Sequence, residues 1–365
     1  MTLPDSPKAN VLIYLAAFCV VIAGLKEARD IVLQVLIAGF AAIAVAPPIF
    51  YLKSRGVPFV LSLILVMALL LGIVGFMAGV VGSSINDFTD QLPMYEDRGR
   101  EAIGQIVEVL HRFGVNVAVD EAIAGLFDPG QMMGWVGGLF AGLGSVLANS
   151  FLIFIMAIFL LLEASTFPTK LQAAFGDQNR VVERFQNLGS SINHYLVIKT
   201  WASLATGGLA AGLCFAFGLD FALLWGLLAF LLNYVPNVGS VVAGVPPVLL
   251  AIVQLGLLKA SLILVGYILI NNILGNFIEP RFMGKGLGLS TFAVLVSLVF
   301  WGWVLGPVGM LLSIPLTMAV KIAMEGRPET LWIAVLLGPG ADAEVRLERM
   351  QSGEIEALPT DGSTG

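Results

Sequence analysis

Residues 221–258 read FALLWGLLAFLLNYVPNVGSVVAGVPPVLLAIVQLGLL. Two apolar arms flank the interruption Asn233-Tyr234-Val235-Pro236-Asn237-Val238-Gly239, and Pro246-Pro247 punctuate the second arm. Proline withholds a backbone N–H and clashes with the preceding helical turn, so this run is expected to be a broken helix or a re-entrant hairpin. Residues 292–324, FAVLVSLVFWGWVLGPVGMLLSIPLTMAVKIAM, repeat the punctuation in the same order: apolar run, Gly306-Pro307-Val308-Gly309, short apolar piece, Pro315, apolar run. Irregular backbone at membrane depth is tolerated only where it is buried in protein or lines a watery cavity. Paired Gly/Pro-interrupted segments are the best sequence pointer to a transporter's binding site; the plainer reading is that the prolines kink ordinary spans.

Composition sets these segments in a membrane. The 365 residues are 58% hydrophobic and 12% charged, with a mean hydropathy of +0.92, whereas a soluble domain carries about 25% charged residues. Low charge with high hydrophobicity also excludes disorder. A net charge of −6 leaves no basic surface for nucleic acid. Cys19 and Cys214 lie inside apolar runs, and His111 and His194 have no ligand-type neighbours at metal spacing, so neither a disulfide framework nor a metal is expected.

Crossing about 30 Å of hydrocarbon takes about 20 apolar residues. Runs of that kind are Ala9–Leu25, Ile31–Leu52, Val57–Gly82, a span within Met132–Leu162, and Trp201–Gly218. The first is read as a retained helix rather than a cleaved leader, because one lysine and two prolines precede it and two spans follow closely. Between Ser83 and Gln131 the acidic residues Asp87, Asp90, Glu96, Asp97, Glu101, Glu108, Asp120, Glu121 and Asp128 face only Arg98, Arg100 and Arg112. Ile103, Ile106, Val107 and Leu110 recur there at amphipathic-helix spacing. The stretch reads as a water-facing cap, either a solvated cover or a partner-binding surface. Val181, Val182, Phe185, Leu188, Ile192 and Tyr195 form an apolar stripe suited to a surface helix, closed by His194 and Lys199 as interfacial anchors.

The expected fold is therefore all-α: a polytopic membrane protein of about six to eight transmembrane helices, with two broken or re-entrant segments and an amphipathic helical extracytoplasmic cap. Its expected organisation is three spans in 1–82, the cap in 83–131, a fourth span and surface helix in 132–199, a transport core in 200–325 and a tail in 326–365. With a cytoplasmic N-terminus, 13 of the 19 Lys and Arg residues fall on the cytoplasmic side and 6 outside, in the sense of the positive-inside rule. That topology places both termini in the cytoplasm and enters the two broken regions from opposite sides.

Between the broken regions, Asn272, Asn276 and Glu279 follow an i, i+4, i+7 spacing that puts them on one helix face. Polar residues within a span are costly and face a bundle interior or cavity. Substrate contact and interhelical amide bridging are both open, as is an interfacial pair of Glu279 with Arg281.

The string Asn276-Phe277-Ile278-Glu279-Pro280-Arg281-Phe282-Met283-Gly284, then Leu287-Gly288-Leu289-Ser290, then Gly306 to Leu316 (GPVGMLLSIPL), resembles the C-terminal signature of the autoinducer-2 exporter family of bacterial membrane proteins. Asn233–Pro247 is similar to the same family's upstream segment. One departure is Ser290-Thr291, which stand where the family pattern has a His-Pro pair. The resemblance implies an inner-membrane transporter that forms a homo-oligomer, a pentamer being the form it suggests. Some members export a small polar signal and others exchange sodium for protons.

Enzyme signatures are missing from the sequence: Gly284-Lys285-Gly286-Leu287-Gly288 lacks the last glycine of a dinucleotide loop, and no phosphate loop, nucleophile elbow or zinc-protease motif occurs. No enzyme activity and no cofactor are expected, and uphill transport would draw on an ion gradient. The expected substrate site comprises Asn233, Pro236, Asn237, Gly239, Asn272, Asn276, Glu279, Pro307, Gly309 and Pro315. For sodium/proton exchange Glu279 is the expected proton carrier, with Glu163 in reserve. A non-transporting scaffold that recruits partners through the cap is the third reading.

Overall fold

The computed structural model describes residues 7–112, 134, 138, 150–164, 166–167, 169–170, 173, 179–236, 238–283, 288–326 and 330–352. Every regular element among these residues is helical. Among the described residues five helices are long and apolar enough to cross a membrane: Arg29–Ser54, Phe59–Gln91, Asn187–Phe217, Val238–Leu255 and Leu257–Ile278. Ser150–Ala164, Ala222–Leu232 and Thr291–Leu305 are shorter apolar helices. The helix α1 (Pro7–Glu27) covers the first expected span, and α2 (Arg29–Ser54) the second.

Two helices run through boundaries that composition had marked. In α3 (Phe59–Arg112) the chain passes from apolar span into acidic segment without a break, with Pro93 inside the helix. Beyond Arg112, the rest of the expected cap, up to Gln131, lies outside the described residues. Likewise α5 (Asn179–Phe217) joins the expected surface helix to the next span; α4 (Ser150–Ala164) precedes it. Composition changes where solvent changes, but backbone hydrogen bonding has no reason to stop there.

The chain forms two compact units, one of Met1–Ala44, Phe159–Tyr195 and Lys285–Gly365, the other of Val45–Ile158 and Leu196–Gly284. The second unit continues from α5 through α6 (Ala222–Leu232), α7 (Val238–Leu255), α8 (Leu257–Asn271), a π-helical segment (Asn272–Ile278) and α9 (Glu279–Met283). Its core centres on Trp225, Tyr95, Cys214, Leu224, Leu250 and Ile263. In the first unit, α10 (Thr291–Leu305), α11 (Pro307–Leu311) and α12 (Ser313–Glu325) are followed by α13 (Leu331–Leu337) and α14 (Gly340–Gln351). There Ile22, Val304, Leu305 and Leu316 pack with Phe300, Trp301 and Leu312, and Trp301 Nε1 donates to Thr317 Oγ1 at 2.9 Å. One side of α10 presents Phe292, Leu295, Val296, Val299 and Trp303, all exposed, an apolar stripe suited to lipid.

The two punctuated segments fold alike, each within its own unit. Helix α6 ends at Leu232, and α7 begins at Val238 after a break that holds Pro236. Helix α10 ends at Leu305; Gly306 adopts φ +75°, which admits glycine without the strain an L side chain meets, and Pro307 starts α11. Each break is followed by a buried glycine pressed on the preceding helix. A Cβ on Gly239 would lie 1.7 Å from Leu232 O, and one on Gly309 2.2 Å from Trp301 O. The later prolines differ: Pro246 and Pro247 lie inside α7 without ending it, whereas Pro315 stands in the first turn of α12, just after the interruption at Leu312 that separates α12 from α11. Each pair of neighbouring helices folds back as closely as backbone allows, because no side chain stands between them.

Candidate functional site

Within the second unit, α5 carries a buried polar face through an otherwise apolar span. Lys199 is only 4% exposed, and its Nζ lies 2.6 Å from Glu279 Oε1. One turn on, Ser203 Oγ accepts a 3.0 Å hydrogen bond from Asn233 Nδ2. Thr200 Oγ1 donates to Leu196 O and lies 2.7 Å from Tyr234 Oη, so its single proton is committed and the Tyr234 hydroxyl donates to it. Consecutive turns of α5 thus hold both the broken segment at Asn233-Tyr234 and the carboxylate of α9.

A charge pair in low dielectric is held by mutual attraction against a desolvation penalty of several kcal/mol per ion. It persists where geometry is good, as the 2.6 Å separation is. Lys199, expected to be an interfacial anchor, is instead a buried partner, and Glu279 pairs with it rather than with Arg281, which is exposed. The signal was present in sequence: a lysine inside the apolar string Tyr195-Leu196-Val197-Ile198-Lys199-Thr200-Trp201-Ala202.

The structure does not bring Asn272 and Asn276 to this pair. Both are exposed; Asn276 Nδ2 donates to Asn272 Oδ1 at 3.0 Å and Asn272 Nδ2 to Ile268 O at 2.8 Å. Pro236 is half-buried in the break, Gly239 is buried at the start of α7, and Asn237 lies outside the described residues. In the other unit, Pro307 is exposed while Gly309 and Pro315 are buried. The reserve carboxylate Glu163 is exposed and pairs with Lys170. Among the described residues no group of three or more His, Cys, Asp or Glu side chains is arranged to hold a metal.

A second polar cluster closes the far end of the same helices. From Lys199 to Phe217, α5 rises about 27 Å at 1.5 Å per residue, close to the hydrocarbon thickness. There Asp220 follows α5, with its amide N–H donating to Gln254 Oε1 at 3.0 Å and its carbonyl accepting from Trp225 Nε1 at 2.8 Å. Tyr95 Oη lies 2.7 Å from Asp220 Oδ2 and 2.9 Å from Gln91 Oε1. One phenolic proton is shared between two acceptors, and the shorter contact, to the carboxylate, takes the larger part of it. Burial, then the Asp220 carboxylate, hold the Tyr95 hydroxyl well above the ordinary phenol range. Beside this cluster a cavity of about 420 Å³ is lined by residues that include Ser83, Asp87, Gln91, Phe215, Asp220 and Phe221.

Comparison with known proteins places this chain among transport proteins. Residues 12–327 match the family model described as AI-2E family transporter. The chain is 38% identical over 328 residues to the AI-2 transport protein TqsA of Escherichia coli K12, covering 90% of this chain and 95% of that protein. It is 37% identical over 338 residues to a putative transport protein of Haemophilus influenzae, covering 91% and 97%. It is 34% identical over 337 residues to the putative transport protein YhhT of Escherichia coli K12, covering 92% and 96%.

Proposed function

The chain belongs to the AI-2E family of transporters, a multi-pass membrane protein, and on that premise we propose that it is a secondary transporter exporting a small polar molecule by alternating access. An autoinducer-2-like signal is the substrate class in this reading, the bacterial inner membrane its location, with both termini cytoplasmic. Homo-oligomeric assembly completes the reading.

The observation that carries it is the buried Lys199–Glu279 pair, joined through α5 to the break at Asn233-Tyr234. A hydroxyl-rich solute leaving water must replace its hydration by fixed donors and acceptors. The Asn233 amide, the Ser203 and Thr200 hydroxyls, the Tyr234 phenol and the two charges supply both kinds within two turns of α5. Because one end of this network sits on a broken helix, movement of the break changes which of these groups a solute meets.

A second reading, sodium/proton exchange, draws on the same pair. A carboxylate already neutralised by an ammonium can exchange that partner for a proton or a sodium ion with little change in local charge. Reconstitution in proteoliposomes tests both readings. Expected for the first is autoinducer-2 efflux that falls by about tenfold or more in Glu279→Gln and Asn233→Ala, the effect of about 1.4 kcal/mol of lost coupling. Wild-type efflux in both folded variants would remove the site. Sodium-driven proton movement that survives Glu279→Gln would remove Glu279 as proton carrier.

A further inference from the structure

In an α-helix each residue turns the chain by about 100°, so Asn272, Asn276 and Glu279 would share one face. In the protein they do not: the two asparagines are exposed and bonded to one another, while Glu279 reaches the buried Lys199. The backbone supplies the reason. The Glu279 N–H donates to Leu274 O, five residues back, and the π-helical segment runs from Asn272 to Ile278 between α8 and α9. A π turn holds about one residue more than an α turn and displaces the residues C-terminal to it by about one residue's rotation, or about 100°.

Two residues make this turn the place where the register changes. Pro280 has no N–H for either register, and a proline ring clashes with the carbonyl four residues back in an α turn, here that of Asn276, which weakens the α ladder where the π segment lies. Gly275, mid-segment, has open space where a Cβ would stand, so its helix-weakening effect rather than packing distinguishes it. The α and π registers therefore compete over seven residues whose downstream neighbour is the charged member of the pair.

We propose that Asn272–Ile278 is a register switch that positions Glu279, placing its carboxylate on Lys199 in the π register and on the Asn272–Asn276 face in the α register. The inference rests on the reading that the Lys199–Glu279 pair belongs to the transport site. It adds the step by which the carboxylate changes partner, and with it the ligand class. Two amides and a carboxylate on one face receive a small cation or a hydroxyl-rich solute able to take over the role of the Lys199 ammonium. Glu279 is the group that meets the ligand; the residues of the π segment act through it, as positioning residues.

Deletion of Gly275 tests this in the full chain. With the surplus residue gone, a continuous α-helix keeps Glu279 turned toward Lys199, but the second register is lost. In proteoliposomes with autoinducer-2 as the efflux probe, or sodium-driven proton flux if the wild type moves that instead, the deletion is expected to weaken probe binding, because the face of two amides and a carboxylate that receives the ligand forms only in the lost register. Turnover is expected to fall by about tenfold or more. Turnover within about twofold of wild type would overturn the switch. Should the deletion fail to give a monodisperse protein, Pro280→Ala and Gly275→Ala, which favour the α register without changing length, are expected to alter turnover and binding together; wild-type values in both overturn it. Glu279→Gln separates the two claims. Loss of transport there with normal turnover in the deletion sinks the switch alone. Normal transport in Glu279→Gln, or a wild type that moves neither probe, sinks the functional reading and the switch with it.

Discussion

Replacing Glu279 by Gln keeps the shape of the side chain and removes its charge, leaving the Lys199 ammonium without its partner. Lys199 is 5% and Glu279 14% exposed as side chains, 2.6 Å apart, so almost no water is at hand to solvate the orphaned charge. Breaking a buried pair from one side costs about 3–5 kcal/mol. The residual exposure of Glu279 places this pair near the lower end. With an unfolding entropy of about 0.002 kcal/mol/K per residue, a loss of about 3 kcal/mol over 365 residues lowers the thermal midpoint by about 4 °C. Removing both charges, in Lys199→Met with Glu279→Gln, takes away the desolvation penalty together with the attraction. The double variant is then expected to be more stable than either single variant, with a coupling of at least about 1 kcal/mol in the double-mutant cycle. Fluorescence-detected size exclusion after heating detergent-solubilised protein measures all four midpoints. Single variants that melt with the wild type, or a double variant showing only the sum of the two losses, would refute the argument that the pair is desolvated and coupled.

At the two breaks, Gly239→Ala and Gly309→Ala set a methyl group against a carbonyl oxygen of the preceding helix, at 1.7 and 2.2 Å. Each is expected to lose about 1–3 kcal/mol, with Gly239→Ala the larger loss in the same thermal assay. Tyr95→Phe removes the hydrogen bond to Asp220, worth about 1.5–3 kcal/mol for a charged acceptor. Because the native Tyr95 hydroxyl titrates above its unfolded value, its contribution is complete below about pH 10 and is lost as pH rises through the native value. Alkaline unfolding curves of wild type and Tyr95→Phe should therefore converge above about pH 10, and parallel curves would count against the bond.

The helices and their breaks were legible because they arise from local chemistry. Apolar runs of spanning length mark α2, the first part of α3, α7 and α8, and Asn233–Pro236 and Gly306-Pro307 interrupt the ladder wherever they occur. Local chemistry did not say which prolines would break a helix: Pro236 and Pro307 stand at breaks and Pro315 in the first turn after Leu312, where no helical bond is lost, while Pro246 and Pro247 are carried inside α7. A helix tolerates a missing bond when packing holds its two halves together, and packing is not a local property. Nor did the acidic composition after Ser83 mark the end of α3, since helical hydrogen bonds are indifferent to whether lipid or water lies outside.

From the residues alone came the membrane setting, the all-helical class, the doubled punctuation and Glu279 as a candidate. The tertiary structure decided what Glu279 does. Lys199 stands 80 positions away in sequence, and no periodicity links them. Their pairing arises because α5 and the end of α8 pack side by side and because a π turn rotates the carboxylate off the face that α-helical spacing assigns to it. Both depend on free energies set by three-dimensional neighbours: the desolvation of a charge within a bundle, and the hydrogen-bond register that Asn272–Ile278 adopts.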